Sequence, residues 1–130
     1  MDPKIWGEKC WFFLHTVSLN YPVEPENRDI NKHRDYINNL CDVLPCNICK
    51  SHFVEYIREH PPCLDNRRCF VNWVLDFHNS VNERTGKPVF LFDQFIDEYS
   101  CAYSREKKKK KRLYVFALIL VLILILFLRI

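Results

Sequence analysis

The sequence predicts an all-α fold: a four-helix bundle with a short fifth helix, followed by a C-terminal transmembrane helix. Three observations carry this reading. Apolar residues recur at spacings of three and four through most of the chain, and none alternate with period two for long. Prolines and the Gly86-Lys87-Pro88 turn fall between those runs, leaving short connections. Finally, Leu113–Leu128 contains no charge, glycine or proline.

Asp2-Pro3 opens the first helix as an N-cap and first-turn proline. Trp6, Cys10, Phe13, Leu14, Val17 and Tyr21 mark its apolar side, and Pro22 and Pro25 break it. Ile30, Ile37, Leu40, Cys41 and Leu44 trace a second helix that ends before Pro45. A third begins at Pro45 or Cys46, carries Cys49, Phe53, Tyr56 and Ile57 on one side, and stops at Pro61-Pro62. Asp65 or Asn66 can cap a fourth, with Phe70, Trp73, Val74, Phe77, His78 and Val81 in register. Gly86 followed by Lys87-Pro88 is a C-terminal stop signal. Phe92 to Tyr99 gives the short fifth helix, capped by Asp93.

Composition narrows the function classes. At 130 residues the chain holds one domain and a tail, and its two glycines exclude a glycine-rich phosphate loop. An aromatic fraction of 15% argues against disorder. The net charge of +3 hints at nucleic acid, but its distribution removes the hint. Residues 1–104 hold 11 basic and 15 acidic side chains, whereas the residues from Arg105 onward hold eight basic and one acidic. The head is therefore mildly acidic, and a nucleic-acid partner is not expected.

The expected organisation is a domain over 1–104, a basic juxtamembrane linker over 105–112 and a transmembrane helix over 113–128. Sixteen residues rise about 24 Å, and flanking Lys111, Arg112 and Arg129 can snorkel toward a ~30 Å hydrocarbon core. A buried core helix is the alternative. The basic run before the span implies, by the positive-inside rule, a tail-anchored single-pass protein with its head facing the cytosol, in a host or virion membrane. Met1–Lys9 has no long apolar region resembling a signal peptide.

Cys46-Asn47-Ile48-Cys49 is the sharpest chemical feature. Two cysteines at this spacing can close a small reducible disulfide, and the first sits where helix N–H groups stabilise a thiolate. Zinc competes for the same residues. Cys46, Cys49 and His52 offer three ligands, with Cys63, Cys69 or His60 as a fourth, but no second paired motif follows at zinc-finger spacing. Cys63 and Cys69 flank the turn before the fourth helix and either staple it or stay as thiols. Cys10 and Cys41 fall on apolar faces and read as small buried residues. Cys101 stands alone, as a free thiol, an intermolecular bridge, a palmitoylation site or a relay cysteine. Trp11, Trp73, Phe77 and His78 add flat surface beyond what a small core needs, which a planar cofactor between helices would use.

Taken together, these motifs resemble the Erv/ALR family of flavin-dependent sulfhydryl oxidases over about residues 5–99. The matching residues are Gly7-x3-Trp11-x2-Leu14-His15, then Cys46-x2-Cys49 after proline. The most specific string is Cys69-Phe70-x2-Trp73 followed by His78-Asn79-x-Val81-Asn82-x3-Gly86-Lys87-Pro88. In size and cysteine set the chain looks most like the versions of large DNA viruses that assemble in the cytoplasm. The resemblance implies FAD in the bundle and a homodimer. It assigns FAD contacts to Trp11, His15, Trp73, His78, Asn79, Val81, Asn82 and Lys87, with Gly7 and Tyr21 as further candidates. It implies Cys46 as the outer cysteine attacked by a protein dithiol substrate or a thioredoxin-like relay. Cys49 is then the flavin-proximal partner, and oxygen is the final acceptor, giving hydrogen peroxide. The family pattern departs at Leu75 and Phe92, where relatives carry a further disulfide. It departs again near Arg58, where the partner of Cys69 falls, so that Cys63 would have to substitute. A tail-anchored zinc adaptor without catalysis and a redox-inactive helical membrane protein are the rival readings.

Overall fold

The structure is a computed structural model that describes residues 1–128, with the side chains of 105–107 and 121–128 left aside. It contains five α-helices and no strand among the described residues. They are α1 (Pro3–Leu19), α2 (Asn27–Val43), α3 (Asn47–Glu59), α4 (Arg67–Arg84) and α5 (Phe92–Leu128).

The local signals explain the boundaries. The Asp2 side chain accepts from the Lys4 N–H at 2.9 Å, and Pro3 occupies the first turn, where its missing N–H costs nothing. Cys46 caps α3 and Asn66 caps α4, the latter accepting from the Cys69 N–H at 2.9 Å. Gly86 follows α4 at φ 68°, a backbone conformation that a side chain would strain.

Residues 1–90 form one compact unit. Its core joins Leu14 and Tyr21 with Ile37, Cys41, Phe53, Leu64, Phe70, Trp73, Val74 and Phe77. The four helices thus each contribute a buried face. Within this unit α1 packs on α4 and α2 on α3.

Residues from Leu91 onward form a second unit, and here two expectations change. The fifth helix starts at Phe92 as its residues suggest but does not end at Tyr99; it runs on to Leu128. The physical reason is that no proline or glycine lies between, and Lys and Arg are good helix formers. The expected transmembrane helix over 113–128, and with it the tail-anchored, cytosol-facing localisation, is corrected. Among the described residues no helix is long and apolar enough to cross a membrane. The uncharged run 113–128 rises about 24 Å, short of a ~30 Å hydrocarbon core, and it continues a helix whose preceding residues are basic. Residues 121–128 of the expected span lie outside the residues whose side chains are described.

Candidate active site

Cys46 and Cys49 are joined in a disulfide at the start of α3, with Cα atoms 5.2 Å apart. The Cys46 sulfur accepts a hydrogen bond from the Cys49 N–H at 3.2 Å. It therefore occupies the position that an N-cap oxygen usually takes, facing the free N–H groups of the first turn. Those donors and the helix dipole favour negative charge on this sulfur.

Both cysteines are half-buried. Cys49 shares a face with Phe53 four residues on, and Phe53 is buried in the core. Phe53 stacks on Phe77 of α4, with centroids 4.4 Å apart and planes at 11°.

Beyond Phe77 lies a second cluster. Trp11 meets Phe77 edge-on at 5.1 Å and stacks on His78 at 4.2 Å, with planes 11° apart. His78 Nδ1 and His15 Nε2 lie 2.9 Å apart in a hydrogen bond. That bond requires one nitrogen to donate and the other to accept, so the pair shares its contact only while at least one ring is neutral. Burial, assisted by the neighbouring His78, lowers the His15 pKa to about 3. Burial and the Lys87 charge lower that of His78 to about 4. Both rings are neutral at physiological pH.

The loop after α4 is tied to this cluster. The Asn79 amide makes a two-point clamp on Phe90, donating to its carbonyl and accepting from its N–H, both at 2.9 Å. Asn82 is buried, donates to the Pro88 carbonyl at 3.1 Å, and its own carbonyl accepts from the Lys87 N–H at 2.8 Å. Phe90 in turn lies 5.4 Å from His78. The two asparagines hold the loop that carries Lys87.

The expected site residues therefore fall into distinct settings. Trp11, His15 and His78 come together, and the Lys87 charge reaches His78. Trp73 is buried beside Phe70, Tyr56 and Phe77, and its indole N–H donates to the His60 carbonyl at 2.8 Å. Tyr21 is fully buried, with its hydroxyl donating to the Leu64 carbonyl at 2.9 Å. Val81 packs half-buried against the core. Gly7 is half-buried, and a Cβ there would meet nothing within 4 Å, so the chain itself does not demand glycine.

Cys63 and Cys69 are joined across the turn before α4. Cys10, Cys41 and Cys101 are free. Burial raises the thiol pKa of Cys10 and Cys41, so both stay protonated and inert. Cys101 is exposed on α5. Phe53 and Phe90 belong to the site architecture without having been singled out as cofactor-facing. Phe53 gives no signal beyond core periodicity, and Phe90 is an aromatic two residues past the Gly86-Lys87-Pro88 turn.

The donor set suits a flat, largely uncharged ring system carrying an anionic tail. It offers a Trp–His stack, two neutral imidazoles and one cation at the loop. The indole N–H of Trp6 on α1 is also buried without an acceptor. Zinc suits the residues poorly, because Cys46, Cys49, Cys63 and Cys69 are all engaged in disulfides. The Cys63–Asp65–Cys69 grouping, the one such cluster among the described residues, thus lacks free thiolates.

Residues 8–110 match the Erv1 / Alr family. The chain belongs to that family. It is 32% identical over 111 residues to a probable FAD-linked sulfhydryl oxidase of Acanthamoeba polyphaga mimivirus, covering 83% of this chain and 78% of the relative. It is 30% identical over 94 residues to the FAD-linked sulfhydryl oxidase of African swine fever virus, covering 72% and 79%. Against the mitochondrial FAD-linked sulfhydryl oxidase ERV1 of Saccharomyces cerevisiae the identity is 33%, over 68% of this chain and 47% of the yeast protein. The crystal structure of the FAD binding domain of yeast Erv1 superposes with a TM-score of 0.73 at 30% identity, covering 76% of this chain and 94% of that one.

Proposed function

We propose that this chain is an FAD-linked sulfhydryl oxidase that makes disulfides in protein dithiols, with oxygen as acceptor. The observation that carries the reading is the Cys46–Cys49 disulfide at the N-terminus of α3, one stacked pair of aromatics away from the Trp11–His15–His78 cluster.

In the first step a substrate thiolate attacks the Cys46 sulfur. A substrate–Cys46 disulfide forms, the Cys46–Cys49 bond breaks, and Cys49 leaves as a thiolate. The substrate's second thiolate then attacks its own sulfur in the mixed disulfide and releases Cys46. The substrate has lost two electrons, and Cys46 and Cys49 hold them as a dithiol. The first-turn N–H groups that face Cys46 stabilise its departing thiolate, which speeds release. FAD, when bound, supplies the two-electron acceptor for this dithiol and the route to oxygen, yielding hydrogen peroxide. Trp11 and His78 supply stacking surface for it, His15 fixes the His78 ring, and Lys87 supplies a cation for the pyrophosphate. Asn79 and Asn82 position the loop, while Trp73, Tyr21 and Val81 shape the wall. Cys63–Cys69 is a structural staple.

The protein also acts as a homodimer. Support comes from α1, which leaves Ile5, Phe12 and Phe13 exposed on one side, at 74%, 43% and 58% of full accessibility. Cys101 remains a candidate relay for electrons from a thioredoxin-like partner. Purified protein should carry a flavin absorption band and consume oxygen with dithiothreitol. A protein that folds but neither binds flavin nor consumes oxygen overturns the reading.

A further inference from the structure

Helix α3 has two faces with different fates. Cys49, Phe53 and Tyr56 turn inward, and Phe53 is 1% exposed. Another side starts one turn beyond Cys46, at Lys50, and forms an open groove of about 540 Å³ lined by Lys50, Ser51, Val54, Glu55 and Arg58. Val54 is 54% exposed there, an apolar side chain more than half open to solvent.

The charge of this groove departs from its surroundings. The head as a whole is acidic, yet Lys50, Arg58 and Arg84 gather at the groove against Glu55 and Glu59. Arg84 lies 3.8 Å from Glu55 and largely offsets it. Arg58 pairs with its neighbour Glu59 at 3.4 Å, an exposed contact that a competing carboxylate can replace at little cost. Lys50 is held by its hydrogen bond to the Asp42 carbonyl, which pins its charge one turn from Cys46.

Geometry sets the size of an occupant. From Cys46 to Arg58 the helix rises about 18 Å, the length of about five or six extended residues. We propose that this outward groove of α3 is the docking surface for the dithiol partner, and that it takes an extended acidic segment of that partner with an apolar side chain seated at Val54. The inference rests on the exchange role assigned to Cys46. It explains how a protein dithiol is brought to that sulfur: the segment lies along α3 and delivers the flanking cysteine to its N-terminus. Lys50 and Arg58 then set the preference for acidic flanks.

Direct binding tests this independently of turnover. The probe is a fluorescent peptide with a Ser-x2-Ser centre, serines replacing the cysteines, and flanks of alternating Glu and Leu. A second peptide carries Lys in place of Glu. Anisotropy on the FAD-loaded full chain should show the acidic peptide binding about tenfold more tightly at low salt, with the gap closing as salt rises. Arg58→Glu should abolish or reverse that preference, and Val54→Asp should weaken the acidic peptide several-fold. Equal binding of both peptides, or a preference that survives Arg58→Glu, overturns the proposal. Oxygen uptake with dithiothreitol reports separately on the oxidase reading, because that small dithiol does not need the groove.

Discussion

The two disulfides of the head are the same bond in opposite surroundings. Their Cα separations are 5.2 and 5.5 Å, and they close loops of similar length, with cysteines three and six positions apart. Chain entropy gives each about 2 kcal/mol by the loop-closure relation, a difference too small to separate them. The neighbours separate them. The Cys46 sulfur faces an N–H at 3.2 Å and the positive end of a helix, whereas the Cys63 sulfur lies 3.7 Å from an Asp65 carboxylate oxygen. A thiolate is favoured at the first and opposed at the second. The lesson is that exchange is assigned by what faces the sulfur, with spacing a secondary matter.

The largest expected effect comes from breaking each bond in turn. Cys46→Ser and Cys49→Ser should each reduce oxygen uptake with dithiothreitol to background, a loss of two orders of magnitude or more. The double variant Cys63→Ser/Cys69→Ser should keep most of that activity and instead lose stability. About 2 kcal/mol lost from a domain of this size lowers Tm by roughly 8–16 °C, readable by differential scanning fluorimetry. The reverse pattern, activity lost with the second pair alone, contradicts the assignment.

Smaller effects come from exchanging the surroundings. Asn47→Asp adds a carboxylate to the first turn of α3 and should slow reduction of Cys46–Cys49 by about three- to tenfold. Asp65→Asn removes the charge beside Cys63 and should speed reduction of Cys63–Cys69 by a similar factor. Stopped-flow reduction with thiol trapping reads both rates.

Acid provides the mildest probe, acting on neither disulfide. His15 and His78 have folded-state pKa values of about 3 and about 4, below the usual 6.5, so the unfolded chain binds their protons more readily. Stability from this pair is fully present above pH 6.5 and is lost progressively as pH falls toward 4. Tm should therefore drop between pH 7 and pH 5, and the slope should be shallower in His78→Gln. A parallel slope in that variant assigns the acid sensitivity elsewhere.

How much of this was legible in sequence depended on range. Local signals told most: Asp2-Pro3 starts α1, Pro45 precedes the α3 cap, and Gly86 ends α4. The Cys46-x2-Cys49 motif and the string around His78 mark the candidate site because their residues are near neighbours in the chain. What stayed hidden needs the fold. The His15–His78 hydrogen bond joins residues 63 positions apart, and no periodicity announces it. Asn79 and Asn82 are expected to touch the cofactor, and the fold adds that their amides hold Phe90 and Pro88, partners that a motif does not name. The last helix misled in the other direction. Charge and hydropathy suggested a linker and a membrane span, whereas backbone propensity, with no breaker present, favoured one continuous helix.

The most direct test of the central claim is thiol trapping on the FAD-loaded wild-type protein under limiting dithiothreitol without oxygen, with the labelled sites mapped by mass spectrometry. Labelling of Cys46 and Cys49 before Cys63 and Cys69 is the predicted result. Labelling of Cys63 and Cys69 first, or of both pairs together, would contradict the claim that the α3 N-terminus makes its disulfide the one that exchanges.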